Sequence, residues 1–167
     1  DIDSYQNQTN RNRVGKYDGM TVFDSKQYKW SVKVPGNWIK SLSSDGSYVS
    51  FFENELGLSI GVEAVENNSD NKTAADDEKF SFMGAIENND GVELKNQTTV
   101  TDKGKTINIY DYRWEDSAEE IFADVQFKVI DGKDYSYCYF SIMPDELKCS
   151  ANVSLISDIW NSFTLED

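Results

Sequence analysis

The sequence predicts an α+β fold, an α/β/α sandwich around a mainly antiparallel sheet. Three observations carry this. Alternating apolar and polar runs recur along most of the chain and are joined by short turns, which is the period of half-buried strands. Only two stretches, one central and one terminal, carry helical spacing instead. Several strands are apolar or aromatic on both faces, so both faces of the sheet need cover. The 167 residues suit one domain with a real core, and aromatics, at 13%, supply much of its apolar content.

Residues 1–19 are polar, rich in Asn and Gln and without periodicity, so they are expected to be a leader or tether, with a single domain over 20–167. The chain starts at Asp1 rather than Met, as expected of a mature or truncated product. Residues 20–24 form a short strand. Residues 28–34, YKWSVKV, place Tyr28, Trp30, Val32 and Val34 on one face, and Pro35-Gly36 ends the run. Residues 48–53 and 58–65 are two further strands. A helix is expected over about 74–89, with Thr73 as N-cap, acids in its first turns, and Phe80, Met83 and Ile86 on its apolar stripe. Residues 92–101 and 105–114 make a hairpin around Lys103-Gly104, pairing Val100 with Ile107 and Thr98 with Ile109.

Residues 115–120 are an acidic loop or a single helical turn. Residues 120–143 form the hairpin at the middle of the sheet. Asp131-Gly132 is its expected two-residue turn, which sets Val125 opposite Cys138, Ala123 opposite Phe140 and Ile121 opposite Ile142. One face then collects Ile121, Ala123, Val125, Phe127, Cys138, Phe140 and Ile142. The other collects Phe122, Asp124, Gln126 and Lys128 beside Tyr135, Tyr137 and Tyr139. Within 144–163, Leu155 or Ile156, Ile159, Trp160 and Phe163 have helical spacing, with Asn152 as an N-cap. Trp38, Phe140, Ile159 and Phe163 are expected in the core.

YKWSVKVPGNW, Tyr28 to Trp38, resembles the entry motif of the PsbP-like and Mog-like superfamily, in which an aromatic-bearing strand runs into a Pro, a small or polar residue and a Trp. ISDIWNSF, Ile156 to Phe163, is similar to the closing helix of the same group. The resemblance covers about residues 20–165 and implies the PsbP-like α/β/α sandwich. These are packing motifs, and no binding residue of the group aligns onto this chain. The resemblance also implies the outer, extracytoplasmic domain of a bacterial surface lipoprotein, anchored to the membrane only through an N-terminal lipid-bearing segment.

Composition narrows the chemistry. The formal net charge is −14, which disfavours nucleic acid and anionic lipid. There is no His, so a Ser-His-Asp triad, a Cys-His dyad and a His-ligated zinc are excluded within the chain. Two Cys cannot close a zinc site alone. No cofactor or metal is expected. Asp70, Asp76, Asp77 and Glu78 could offer oxygens to Ca²⁺, but without calcium-loop spacing they are better read as solvated acids. Cys138 and Cys149 could form a disulfide outside the cell. The strand from Cys138 runs about 17 Å outward and a helix from Asp145 returns only about 6 Å, so two buried thiols are an equal reading. The sequons at Asn7, Asn67, Asn71, Asn96 and Asn152 are the number such a composition yields.

Two functional expectations follow. The first is a non-catalytic module binding a protein or envelope component. Its candidate surface is an aromatic stripe of Tyr110, Tyr112, Trp114, Tyr135, Tyr137 and Tyr139, incompletely covered by the 74–89 helix while the closing helix takes the aliphatic face. The same residues could instead be a sheet face under a helix. The alternative is an extracytoplasmic hydrolase working with carboxylates alone, such as Asp76-Asp77 or Glu119-Glu120.

Overall fold

A computed structural model describes residues 19–53, 57–67 and 79–166. The expected leader, the Thr73 cap, the first part of the 74–89 helix and the Asp70–Glu78 acids lie outside the described residues. The described elements, in chain order, are β1 (Met20–Ser25), β2 (Trp30–Pro35), β3 (Ile39–Leu42), β4 (Tyr48–Phe52), β5 (Ser59–Glu66), α1 (Ser81–Glu87), β6 (Val92–Asp102), β7 (Lys105–Asp116), β8 (Ile121–Asp131) and β9 (Tyr135–Pro144). A 3-10 turn (Asp145–Leu147), α2 (Ser150–Ser162) and β10 (Thr164–Leu165) complete the chain.

Seven strands form an antiparallel sheet in the order β3-β4-β5-β9-β8-β7-β6. One face carries α1 through Phe80, Met83 and Ile86 on Val125, Phe127, Val129, Cys138 and Phe140. The other carries α2, through Leu155, Ile159 and Trp160, together with a second antiparallel sheet, β1-β2-β10. Trp38, Phe140, Ile159 and Phe163 are all buried.

The β6–β7 hairpin has the expected register, Val100 with Ile107 and Thr98 with Ile109. Lys103 (φ 55°) and Gly104 (φ 74°) both take the left-handed backbone that a two-residue hairpin needs. The central hairpin does not have the expected register. Val125 faces Ile142, Phe127 faces Phe140 and Val129 faces Cys138, because the ladder continues to Asp131 opposite Ser136 and the loop spans residues 132–135. A distant side chain builds that loop. Asn67 donates to the Gly132 carbonyl (2.9 Å), and the Ser136 hydroxyl lies 2.6 Å from Asn67 Oδ1 and 3.0 Å from Asp131 Oδ1. The shift is four positions, an even number, so every side chain keeps its expected face.

The structure differs from the expectation in three further respects. β3 and β10 were not expected. α2 begins after Cys149, and Asn152 is no N-cap: it is buried inside the helix and donates to the Leu147 carbonyl at 2.7 Å. The two helices also exchange the faces expected of them. Chain continuity explains this, since α2 leads directly into β10, which pairs with β2 on the face of Tyr137 and Tyr139.

Candidate functional site

The six aromatics of the expected stripe do not share a surface. Tyr110, Tyr112 and Trp114 lie on the α1 face, and Tyr135, Tyr137 and Tyr139 on the α2 face. The reason is the β7–β8 register, which sets Tyr110 beside Phe127 and Tyr112 beside Val125. Tyr110, Tyr112, Tyr137 and Tyr139 are buried, while Trp114 and Tyr135 are half-buried on opposite sides. These residues are core. Tyr139 packs edge-on against Trp160 at 4.9 Å, and the Tyr137 hydroxyl donates to the Tyr28 carbonyl. Cys138 and Cys149 are not joined in a disulfide: Cys138 points into the α1-side core and Cys149 precedes α2, which packs on the other face. Glu119 and Glu120 are exposed in the turn after β7. Among the described residues no group of three or more acids and cysteines is placed to hold a metal ion.

What the fold does build is a groove of about 400 Å³ between α2 and the strands β6–β9. It exists because the α2 face of β7, β8 and β9 changes character along its length. The cross-strand rows Ile107–Ile130–Tyr137 and Ile109–Lys128–Tyr139 lie toward the C-terminal end of α2, where Ile159 and Trp160 pack. The next two rows, Asp111–Gln126–Ser141 and Arg113–Asp124–Met143, are largely polar and lie toward its N-terminal end. Polar side chains do not draw a helix down onto them, so a gap remains. Asp111, Gln126, Ser141 and Met143 line its floor, and Val153 and Ile156 of α2 form its wall.

The charges of the groove are mostly matched internally. Arg113 reaches Asp145, Asp124 (3.1 Å) and Glu115 (3.1 Å), and Lys148 donates to Asp124 at 2.5 Å. Burial pushes the Asp124 carboxyl up, but hydrogen bonds from Lys148 and Arg113 outweigh it and hold the group below its ordinary range. Asp124 is therefore held as a carboxylate and is unsuited to give up a proton as a general acid. Lys95, at the rim, is paired with Glu93 at 2.9 Å. Asp111 accepts the Gln126 amide at 2.8 Å and makes no salt bridge to any described Lys or Arg.

Beyond the groove, Lys128 has its ammonium 3.8 Å from the centre of the Trp160 ring, and Lys103 shares the same ring at 4.9 Å. Lys128 has no hydrogen bond or ion pair among the described residues. Burial, helped by the nearby Lys103, brings its amine down to about 8 despite Asp102 and Asp111. Between pH 8 and about 10.5 the unfolded chain holds a proton that the folded chain has released, so stability rises with pH across that window. Lys128→Met is expected to remove this rise and to stabilise the protein at pH 7 by about 1 kcal/mol, the desolvation cost being reduced by partial exposure and by the lost cation–π contact. Urea unfolding of both proteins at pH 7 and pH 10 checks it. Equal stability differences at the two pH values would show that Lys128 titrates as an ordinary surface amine.

Sequence reasoning placed Asp124, Gln126 and Lys128 on one face but did not single them out as a site. The available signal was their position in a central strand, where a covered face would be apolar.

No protein-family model matches the chain, and no curated protein sequence matches it. Solved structures do. The solution structure of cyanobacterial PsbP (CyanoP) from Synechocystis superposes with a TM-score of 0.63 at 18% identity, covering 87% of this chain and 92% of that one. LpqN of Mycobacterium tuberculosis, described as involved in cell envelope biogenesis, gives a TM-score of 0.53 at 11% identity, with 88% and 90% covered. A Bacteroides thetaiotaomicron structure gives 0.53 at 10% identity, covering 87% of this chain but 48% of that one. Identities this low speak for architecture alone, and the architecture is that of a PsbP-like α+β domain.

Proposed function

We propose that this chain is a non-catalytic binding module that works outside the cytoplasm, with residues 1–19 as its tether to the cell surface and the groove beside α2 as its ligand seat. The observation that carries this is the groove itself, whose volume is in the range of small-molecule sites and whose lining combines charged and polar side chains with apolar ones from α2 and the sheet. The extracytoplasmic setting draws support from the fold shared with LpqN, which is described as involved in cell envelope biogenesis. The ligand is a protein segment or an envelope component. A photo-crosslinker at Val153, an exposed groove residue, tests the reading against the same group at Val22, exposed on β1. A discrete adduct with one envelope component from position 153 and none from 22 is expected. No adduct, or the same adducts from both positions, would remove the groove from the function.

A further inference from the structure

The groove contains one acid that makes no salt bridge with any described residue. Asp124 has Arg113 and Lys148, and the rim cation Lys95 has Glu93. Asp111 has a single hydrogen bond, from the Gln126 amide nitrogen, and no salt bridge to any described residue. Lys128 lies one row further along and feels the Asp111 charge, but its amine rests on the Trp160 ring and makes no ion pair with Asp111. We propose that the groove takes an organic cation, a primary ammonium on an apolar stem, with Asp111 as its counter-ion. This rests on the groove being the ligand seat.

Each part of the site answers a part of such a ligand. A carboxylate has room for about four hydrogen bonds, and Asp111 uses one with a described residue. Committing its nitrogen to Asp111 leaves the Gln126 carbonyl oxygen as an acceptor, and Ser141 follows in the same cross-strand row. The groove floor therefore has more acceptor than donor capacity, which suits an ammonium with three N–H donors and no acceptor. The wall supplies Val153, 51% exposed, together with Ile156, opposite Met143 on the floor, as an apolar surface for the stem. The net charge of −14 favours the long-range approach of a cation over that of an anion, although Lys95 and Lys148 also line the groove.

The test uses hexylammonium chloride as probe, with hexanol and hexanoate matched in stem length, titrated into isotopically labelled protein at pH 7 and low salt while amide shifts are followed. Hexylammonium is expected to give saturable shifts centred on residues 111, 126, 141 and 153–156, at least tenfold weaker for hexanol and hexanoate. Asp111→Asn should lose at least tenfold in affinity while keeping its spectrum elsewhere. Val153→Trp, which fills the groove from an exposed helix position, should also abolish the shifts, and serves if Asp111→Asn does not fold. Equal binding of hexanol or hexanoate would overturn the cation assignment while leaving the groove as a ligand seat. Shifts that never saturate and scatter over the acidic surface would overturn it as bulk electrostatics. No shift in the groove with any probe would overturn both the assignment and the groove.

Discussion

Phe140→Ala is expected to cost about 3–5 kcal/mol of unfolding free energy, measured by urea denaturation. Phe140 is 2% exposed in the centre of β9, stacked on Phe82 at 4.4 Å and 8° between planes, with Tyr48 at 6.0 Å and Phe127 at 6.1 Å. Directly across the ladder is Gly61, and the ring lies over it. A Cβ built on Gly61 would be 2.3 Å from two atoms of the Phe140 ring and 3.0 Å from the Val49 carbonyl oxygen. The ring cannot retreat, because Phe82 closes its other side. Gly61→Ala is therefore expected to cost about 1–3 kcal/mol by overpacking. The two substitutions must couple, since removing the ring removes most of the clash. The double variant should be destabilised by less than the sum of the singles, by at least 1 kcal/mol. Additivity within about 0.5 kcal/mol, the behaviour of independent sites, would show that the ring does not occupy the glycine's space.

The same residues show what was legible in the sequence. Alternation assigned Val125, Phe127, Cys138 and Phe140 to one face, and the structure keeps them together. Pairing was legible where a turn closes on itself, as at Lys103-Gly104. It was not legible at Asp131-Gly132, because the loop is held by Asn67 from a different strand end, and no local signal reports that partner. The aromatic stripe failed for a related reason. Alternation states which residues of β7 lie together and which of β9 lie together. Whether the two sets share a face depends on the β7–β8 register across the Asp116–Ile121 connection, and one position of difference there sends Tyr110 and Tyr137 to opposite sides. The groove was half legible. Asp124, Gln126 and Lys128 stand out as polar residues inside a central strand, but the helix end that covers Lys128 and leaves Asp124 and Gln126 open is set by the Pro144 exit and by β10 pairing with β2.

Glu63→Ala is expected to cost about 2–3 kcal/mol, more than most substitutions at a polar residue. Glu63 sits mid-strand in β5, 9% exposed, and faces α1. The residue before α1 is Phe80, whose side chain cannot cap a helix, so the first turn takes its cap from the sheet instead. One Glu63 oxygen accepts the Ser81 hydroxyl at 2.7 Å, and the other accepts the Phe82 amide at the edge of hydrogen-bond range, 3.4 Å. A negative charge at this end also suits the helix dipole. Truncation removes two hydrogen bonds to a carboxylate, from the exposed Ser81 hydroxyl and from the first-turn Phe82 amide, beneath the helix that carries Phe80, Met83 and Ile86. Glu63→Gln keeps the volume and one acceptor oxygen, and should cost about 1 kcal/mol. A spectroscopic readout separates the charge from the packing. Tyr48 lies directly across the ladder from Glu63, and burial together with the Glu63 charge pushes its phenol up to about 12. In Glu63→Gln the Tyr48 phenol should ionise at lower pH by ultraviolet titration, while Ser81→Ala should leave it in place. An unchanged Tyr48 titration in Glu63→Gln, or a stability loss below 0.5 kcal/mol in Glu63→Ala, would mean that α1 is held by its apolar stripe alone.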